Sequence, residues 1–146
     1  MLLKYAKALV ALQRYTEAAE AIETIKATDP ENIEAHMMMG KIKVVQKKLD
    51  EAVETYKEVL YINPEYAPAL YERANVYLLQ AKIQWAKTFF ERALRADPKF
   101  GLAELGLARL AKQQKDFAGY QDHLDKARKL DPNNREIMEE ARSTRR

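Results

Sequence analysis

The pattern of apolar and polar positions over residues 33–66 predicts two helices separated by a short polar turn. The first helix runs to about Lys47, and the second begins near Asp50, a residue type that often caps a helix N-terminus. The second helix carries one apolar face at i, i+4 and i+7 spacing, which consists of Ala52, Tyr56 and Val59. It must end before Pro64, because proline has no amide hydrogen to donate and disfavours helical backbone in the preceding residue.

This unit of two helices recurs along the chain with a constant period. Four prolines, each preceded by Asp or Asn, follow one another at a constant interval of 34 positions: Pro30, Pro64, Pro98 and Pro132. Small residues recur in the first helix at the same interval: Ala6, Gly40, Ala74 and Ala108. Large apolar residues recur just after the turn: Tyr15, Leu49, Ile83 and Phe117. This period, together with a unit of two helices, is the signature of the tetratricopeptide repeat, and the chain resembles this family over residues 1–132.

The resemblance implies an all-α fold, a right-handed superhelical solenoid of antiparallel helix pairs. We expect four repeats in residues 1–134, followed in residues 135–146 by a C-terminal capping helix (residues 135–142) and a frayed tail (residues 143–146). The expected repeats cover about residues 1–32, 33–66, 67–100 and 101–134. Because no segment rich in Ser, Pro or Gly interrupts them, we expect one continuous array. The chain enters the first repeat inside its first helix, which favours a domain cut from a longer protein.

The helix bounds of the other repeats follow from the same pattern. In the first repeat we expect one helix up to about Leu12 and a second over about residues 16–27, with Thr16 as its N-cap. In the third repeat we expect helices over about residues 68–80 and 84–96. These bounds place one helix pair in each repeat.

The fourth repeat departs from the others in its second helix. Tyr120 stands where the other repeats carry alanine, namely Ala18, Ala52 and Ala86. We expect this ring to push the helix outward, and Gly119 to weaken the helix, because glycine loses more backbone entropy on folding than other residues. The fourth repeat is therefore expected to pack differently from the other three, as a terminal or near-terminal unit.

The composition narrows the class of protein. The chain has 25 basic and 22 acidic residues, for a net charge of +3, and both signs are mixed along it. A nucleic-acid-binding protein usually concentrates basic residues on one face, so this balance does not favour nucleic acid. The absence of cysteine excludes disulfides and thiolate metal sites. No apolar run approaches the ~20 residues of a membrane span, so we expect no membrane insertion and a cytoplasmic protein, unless a leader has been removed.

The sequence contains no motif of a known catalytic centre. It lacks a glycine-rich phosphate loop, an HExxH zinc motif and a GxSxG nucleophile motif. The two histidines, His36 and His123, lie at different positions of their repeats, so a structural or solvent-exposed role is favoured over that of a ligand or base. We therefore predict a protein that is not an enzyme and has no catalytic residue, cofactor or metal ion.

Residues that recur every 34 positions form rows along a repeat array. In the family that the chain resembles, the first helix of each repeat lines the concave groove. The polar ladder consists of Lys7, Lys41, Asn75 and Arg109. The apolar ladder, one helical turn earlier, consists of Leu3, Met37, Tyr71 and Leu105. The inner ladder consists of Val10, Val44, Leu78 and Lys112.

These ladders suit a protein partner that presents apolar anchors and carboxylates on an extended or helical peptide. The candidate partner-binding residues are Lys7, Met37, Lys41, Tyr71, Asn75, Leu78, Leu105 and Arg109. The alternative is structural: the apolar and inner ladders pack against the next repeat, and the polar ladder is a solvated face. The main hypothesis is a non-catalytic protein–protein interaction module, an adaptor or scaffold that binds a peptide or helix in its concave groove.

One function of related repeats is disfavoured by the residues themselves. Repeats that clamp the C-terminal carboxylate of chaperone tails use Lys, Asn, Asn, Lys and Arg at five groove positions. This chain has different residues there: Leu3, Lys7, Met38, Pro68 and Glu72. A register one repeat later matches no better, so we do not expect a chaperone-tail receptor.

A structural scaffold is the second functional hypothesis. The array would act by self-association, as a homo-oligomer, or by spacing the domains of a larger protein. Three aromatic residues outside the recurring inward columns would supply the surface: Tyr61, Trp85 and Phe89. The alternative for these residues is that they fill gaps between neighbouring helices. RNA binding is a third hypothesis, which the period and the proline-terminated units disfavour.

Overall fold

A computed structural model describes residues 1–144, and in that range all regular elements are helices. The nine helices of the described residues are α1 (Leu2–Ala11), α2 (Tyr15–Thr28), α3 (Ile33–Val45), α4 (Leu49–Ile62), α5 (Ala67–Leu79), α6 (Ile83–Ala96), α7 (Gly101–Gln113), α8 (Phe117–Leu130) and α9 (Arg135–Ser143). Within this part of the chain no helix has the length and the apolar character needed to span a membrane. The predicted all-α fold class is confirmed.

The chain divides into two compact units. Unit 1 spans Met1–Pro64 and contains α1 to α4, whereas unit 2 begins at Glu65 and contains α5 to α9. Consecutive helices pack as hairpins, α1 with α2 and α3 with α4 in unit 1, and α5 with α6 and α7 with α8 in unit 2. The exact repeat bounds and the continuity of the array remain predictions.

Each hairpin turns through a residue in the left-handed backbone region. These residues recur every 34 positions with φ between 59° and 62°, and they are Gln13, Lys47, Ala81 and Lys115. In the third hairpin the amide of Ala81 donates to the carbonyl of Leu78 at 3.0 Å, and the amide of Lys82 donates to the carbonyl of Tyr77 at 2.8 Å. The other three turns contain the same two bonds. This is the Schellman pattern, which satisfies carbonyls at the end of the first helix.

The predicted N-caps of α2 and α4 are wrong. Thr16 and Asp50 are the second residues of helices that begin one position earlier. Both helices follow directly from the left-handed turns, so their N-cap positions fall on Arg14 and Lys48, whose side chains cannot accept a hydrogen bond. Side-chain caps begin other helices, where three residues accept a bond from the backbone amide three positions later: Asn32, Asp116 and Asn134.

In unit 1 the recurring small residues lie where two helices touch. A Cβ added at Gly40 would lie 2.5 Å from Cε1 of Tyr56, far closer than nonbonded carbons approach. Alanines at other such positions are fully buried: Ala6, Ala18 and Ala52. The larger core side chains of α1, α2 and α3 fill the space around them: Leu9, Ile22, Ile25, Met38, Met39 and Ile42. Small residues thus set how closely the helices approach, and large ones supply the buried apolar area.

In unit 2 Tyr120 lies inside the core. It belongs to a buried cluster with residues of α7, α8 and α9: Leu105, Ala108, Ala111, Leu124, Ala127 and Ile137. Its hydroxyl donates to Glu140 Oε1 on α9 at 2.8 Å, so the ring connects α8 with α9. Gly119 does not interrupt α8, because Asp116 Oδ1 accepts a hydrogen bond from its amide at 3.0 Å. The expected outward displacement of this helix remains a prediction.

The last helix, α9, is in register with the first helices of the repeats. Arg135 lies one full period after Gly101, the first residue of α7. The N-cap Asn134 accepts a hydrogen bond from the amide of Ile137 at 3.2 Å, and the N-cap of α3 has the same geometry. Ile137 is fully buried, so α9 covers part of the core of unit 2.

A helix covers the residues 135–142 where the capping helix is expected, and it runs one residue further, to Ser143. Its role as the cap of the array remains a prediction. Of the tail that was expected to fray, Ser143 belongs to α9 and Thr144 is its C-cap. The rest of that tail, Arg145 and Arg146, lies outside the described residues.

Candidate functional site

In unit 1 the polar ladder supplies two lysines, and one of them has a partner. Lys7 Nζ on α1 lies 2.8 Å from Glu34 Oε2 on α3, and both side chains are 56% exposed. Lys41 is exposed on α3 and makes no ion pair with any other described residue of unit 1. Met37 lies one turn before Lys41 and is half-buried. An exposed cation and a partly exposed thioether therefore share one face of α3.

In unit 2 the ladder cation Arg109 is held by carboxylates of α9. Its Nε lies 3.3 Å from Glu140 Oε2, and its Nη1 lies 3.7 Å from Glu136 Oε2. Lys112 Nζ lies 3.5 Å from Glu140 Oε1, the atom that also accepts the bond from the Tyr120 hydroxyl. The Glu140 side chain is 15% exposed, so water screens this cluster less than the pair in unit 1.

The contacts of Glu140 shift the pKa values of two groups. Burial alone would raise the pKa of Glu140, but the hydrogen bonds from Tyr120 and Arg109 and the charges of Arg109 and Lys112 lower it overall. Burial, the hydrogen bond to Glu140 and the negative charge of that carboxylate raise the pKa of Tyr120 to about 12. Both shifts favour an ionised carboxylate beside a neutral phenol.

On α5 the two central ladder residues, Tyr71 and Asn75, contact each other. Tyr71 is buried, and its ring lies edge-on to that of Phe100 with 5.5 Å between centroids. Burial raises the pKa of Tyr71, although a hydrogen bond with the Asn75 side chain acts in the opposite direction. Asn75 and Leu78 are half-buried. Tyr71 therefore supports α5 from the inside, whereas Asn75 and Leu78 are only partly buried.

Leu105 is a core residue. It is 0% exposed and packs in one cluster with Leu124 of α8 and Ile137 of α9. The sequence left packing open as the alternative role of the apolar ladder. For Leu105 the structure favours that role over partner binding, because α8 and α9 both contribute residues around its side chain.

The carboxylates that hold the ladder cations were not among the residues selected from the sequence. Glu34 follows Lys7, and Glu136 follows Arg109, at the same separation along the chain (34 − 7 = 136 − 109). Each is the second residue of the next first helix in the repeat register. The equivalent residue after Lys41 is a proline, which offers no carboxylate. The recurrence of opposite charges at this interval is the signal that could have identified the pairs.

Both histidines contact neighbouring backbone or side chains. On α3, His36 is buried, with Nε2 2.8 Å from the carbonyl oxygen of Pro30 and Nδ1 3.1 Å from Glu58 Oε2 on α4. His123 Nδ1 on α8 lies 2.7 Å from Glu104 Oε2 on α7. These contacts give both residues a structural role. Residues 1–144 contain no group of three or more His, Asp and Glu side chains placed to hold a metal ion.

The three aromatic residues outside the recurring columns have different surroundings. Tyr61 in unit 1 is 91% exposed. In unit 2, Trp85 is 57% exposed and lies edge-on to Tyr77 with 5.3 Å between ring centroids. Phe89 is half-buried, and the guanidinium carbon of Arg73 lies 4.4 Å from its ring centroid. Phe89 therefore fills a gap between α5 and α6, whereas Tyr61 and Trp85 present apolar surface.

Two family models match adjoining parts of the chain. A model of the TPR repeat matches residues 40–80, and a model of the tetratricopeptide repeat matches residues 67–100. The comparison with curated proteins gives no match.

Several solved structures have the same fold. A thermophilic TPR protein from Thermus thermophilus gives a TM-score of 0.85 at 21% identity, and the match covers 97% of this chain and 78% of that one. MamA from Desulfovibrio magneticus RS-1 gives a TM-score of 0.75 at 19% identity, and the match covers 92% of this chain and 76% of that one. A tetratricopeptide repeat protein from Parabacteroides merdae ATCC 43184 gives a TM-score of 0.78 at 21% identity, and the match covers 94% of this chain and 54% of that one. At these identities the likeness shows the fold alone.

The sequence, the fold and the comparisons agree on the family. Prolines, small residues and left-handed turns recur with one period, and each recurrence has a place in the helical hairpins. Two repeat models match the chain, and the similar structures include repeat proteins. The fold is typical of non-catalytic interaction scaffolds. The chain is therefore a tetratricopeptide-repeat protein, a module for protein–protein interaction.

Proposed function

We propose that the chain binds an extended or helical peptide of a partner protein in the groove lined by its first helices, with carboxylates of the partner on the polar ladder. One observation carries this proposal: in both units, a cation of the polar ladder forms ion pairs with carboxylates of the chain itself. Lys7 holds Glu34 at 2.8 Å. Arg109 holds Glu140 at 3.3 Å and Glu136 at 3.7 Å. These internal contacts support an acidic partner.

Lys41 is the proposed central contact. It occupies the same repeat position as Lys7 and Arg109, but it has no ion pair among the described residues of unit 1. Met37 lies one helical turn away on the same face and offers a flexible, polarizable apolar contact. A partner segment with one apolar residue and one carboxylate at matching spacing therefore suits α3.

A single exposed ion pair is too weak to select a partner. Such a pair contributes roughly 0.2–1 kcal/mol, and salt screens it. Specific binding therefore needs several contacts, and in unit 2 we propose that the half-buried Asn75 and Leu78 on α5 also contact the partner. Since the partner segment loses conformational entropy when it binds, we expect weak and salt-sensitive association.

Peptide display on the whole chain tests the proposal, with Lys41→Glu and Lys57→Glu variants run in parallel. Lys57 is exposed on α4 outside the three ladders, so its variant makes the same charge change away from the proposed site. We expect wild type and Lys57→Glu to enrich peptides with apolar and acidic residues, and Lys41→Glu to lose them. Equal enrichment by all three proteins would contradict the proposal. Arg109 is not used in this test, because its reversal would also disrupt the contacts with α9.

Self-association is a second candidate function, favoured by the 91% exposure of Tyr61. A large aromatic side chain that is so exposed is a common anchor in protein interfaces. Light scattering after size-exclusion chromatography should then show an oligomer that Tyr61→Ser dissociates. A wild-type chain that stays monomeric at high concentration would exclude this candidate.

A further inference from the structure

A cleft of about 550 Å³ opens between α8 and α9, on the side of α9 away from the polar ladder. Six of its lining residues are Arg128, Lys129, Pro132, Met138, Ala141 and Arg142. Glu136 and Glu140, which contact Arg109, each lie two residues before a lining residue of α9. Two residues correspond to about 200° around an α-helix. The cleft and the ladder contacts therefore use opposite faces of α9.

In the repeat register, this side of α9 is the one that a second helix covers in other hairpins. Met138 is the fourth residue of α9, and its counterparts reach the second helix of their own hairpins. His36 lies 3.1 Å from Glu58, and Glu104 lies 2.7 Å from His123. Met138 itself is 39% exposed. The cleft thus lies where a further helix would pack.

Arg142 makes this side of α9 different from its counterparts. The equivalent residue is small in all four repeats: Ala6, Gly40, Ala74 and Ala108. At Gly40 the small residue lets the ring of Tyr56 approach the backbone of α3. A helix that lies over α9 meets a long cationic side chain instead. It must leave room there and offer an acceptor for the guanidinium group.

The charges that line the cleft are unbalanced. It has three cations, Arg128, Lys129 and Arg142, and one carboxylate, Asp125, which lies 4.0 Å from Arg128. Lys129 and Arg142 make no ion pair within the described part of unit 2. The same cleft presents the apolar surface of Met138. This arrangement is complementary to an apolar stripe flanked by carboxylates.

We propose that the cleft binds an acidic amphipathic helix of a partner protein, which lies along α9 in place of a second repeat helix. Apolar side chains of the partner pack on Met138 and Ala141, and its carboxylates pair with Lys129 and Arg142. An alanine-rich helix does not suit this surface, because it would cover Arg142 without supplying a counter-charge. This site lies apart from the ladders and does not depend on the proposed function above.

Two designed peptides of 14 residues, the length of α8, test the chemistry of the proposal. Both carry leucine at i, i+3 and i+7, and the flanking positions hold glutamate in one peptide and lysine in the other. Titration is followed by the NMR signal of the Met138 methyl group. We expect the glutamate peptide to shift that signal and to bind at least about tenfold more tightly than the lysine peptide. Equal affinities, or shifts confined to other methionines, would overturn the proposal.

Charge-reversal variants test the location. We expect Arg142→Glu and Lys129→Glu each to weaken binding of the glutamate peptide about tenfold, and Arg142→Glu to gain affinity for the lysine peptide. A variant that fails to fold would not gain affinity, so this reversal separates recognition from structural damage. Arg135→Glu makes the same charge change on the same helix, where the side chain is 91% exposed, and should alter affinity less than about twofold.

Two outcomes distinguish this site from other surfaces. Lys57→Glu, a charge reversal on α4 outside the cleft and the ladders, should leave the peptide-induced shift of the Met138 signal unchanged. A glutamate peptide that shifts the Met37 signal on α3 but not the Met138 signal would bind at the ladder and overturn the proposal. Light scattering of the free chain tests a second copy as occupant. A dimer that Arg142→Glu dissociates would also overturn the choice of a different partner protein.

Discussion

Ladder cations in the two units bind carboxylates in different surroundings. In unit 1, Lys7 and Glu34 form a single pair, and both side chains are more than half exposed. In unit 2, Arg109 shares the largely buried carboxylate of Glu140 with two groups from α7 and α8. The repeat position determines which residues meet. Burial determines how much their contact contributes to stability.

The difference between the units follows from one departure from the repeat pattern. Where unit 1 has the fully buried Ala18, unit 2 has Tyr120. The tyrosine ring extends the core of unit 2 towards α9, and its hydroxyl donates a hydrogen bond to Glu140. A larger side chain at one position therefore supplies both apolar contact and a polar partner for the last helix.

The largest expected effect comes from removing that ring. Tyr120→Ala should lower the free energy of unfolding by about 3–5 kcal/mol, because it leaves a cavity and deprives Glu140 of a donor. Tyr120→Phe keeps the ring and should lower the free energy of unfolding less, by roughly 1.5–3 kcal/mol, because it removes only the hydrogen bond to the charged Glu140. Urea unfolding measures both values.

Tyr61→Ala in unit 1, measured at a protein concentration at which light scattering shows a monomer, is the matched control for the tyrosine substitution. Its side chain is 91% exposed, so we expect a change within about 0.5 kcal/mol. If Tyr120→Ala were equally mild, the ring would not be part of the core.

The second prediction concerns the carboxylates themselves. Glu140→Gln should lower the free energy of unfolding by roughly 1.5–3 kcal/mol, because the side chain is largely buried and accepts bonds from cationic groups. Glu34→Gln removes one exposed ion pair and should change the free energy of unfolding by less than about 1 kcal/mol. Thermal unfolding of the two variants makes the comparison. Equal losses would show that burial does not separate the two pairs.

The third prediction is a pH dependence with two limits. The pKa of Glu140 is lowered in the folded chain, so its contribution is present above the ordinary value of 4.5 and is lost as pH falls through the folded value. The pKa of Tyr120 is raised to about 12, so its contribution is present below the ordinary value of 10.0 and is lost as pH rises through about 12. The stability difference between wild type and Glu140→Gln should therefore shrink in acid. The difference between wild type and Tyr120→Phe should shrink in alkali.

A matched control for the pH series is Glu34→Gln, since Glu34 lies in an exposed pair. We expect its difference from wild type to stay small across the same range. A Glu140→Gln difference that is independent of pH would mean that the carboxylate contributes through its shape alone.

Much of the fold follows from the sequence because the repeat constrains both helices and their contacts. Small residues such as Gly40 and Ala108 recur where helices touch, and prolines recur where helices end. The N-cap predictions at Thr16 and Asp50 were wrong, because the left-handed turns before α2 and α4 place the N-cap positions on Arg14 and Lys48, whose side chains cannot accept a hydrogen bond. No glycine marks those turns, so composition gives no signal for them.

The site was less predictable than the fold. The repeat register places Lys41 and Arg109 at one position, but it does not indicate which side chains cover that position. The burial of Leu105 depends on α8 and α9 together, and the pairing of Arg109 depends on acidic residues in α9. Such contacts join elements that a single repeat does not contain.

The smallest expected effect tests the turns that the two units share. Ala81 in unit 2 has φ 59°, and Gln13 in unit 1 has φ 60°, a region that disfavours every residue with a Cβ by about 1–2 kcal/mol. Glycine removes that cost but loses more entropy on folding. Each glycine variant should therefore raise the free energy of unfolding, measured with urea, by about 0.5–1 kcal/mol. Ala8→Gly, at an exposed position inside α1, should instead lower the free energy of unfolding by about 1 kcal/mol. A gain at one turn only would mean that the recurring geometry hides a difference in strain, and that the two units differ in their backbones as well as in their ion pairs.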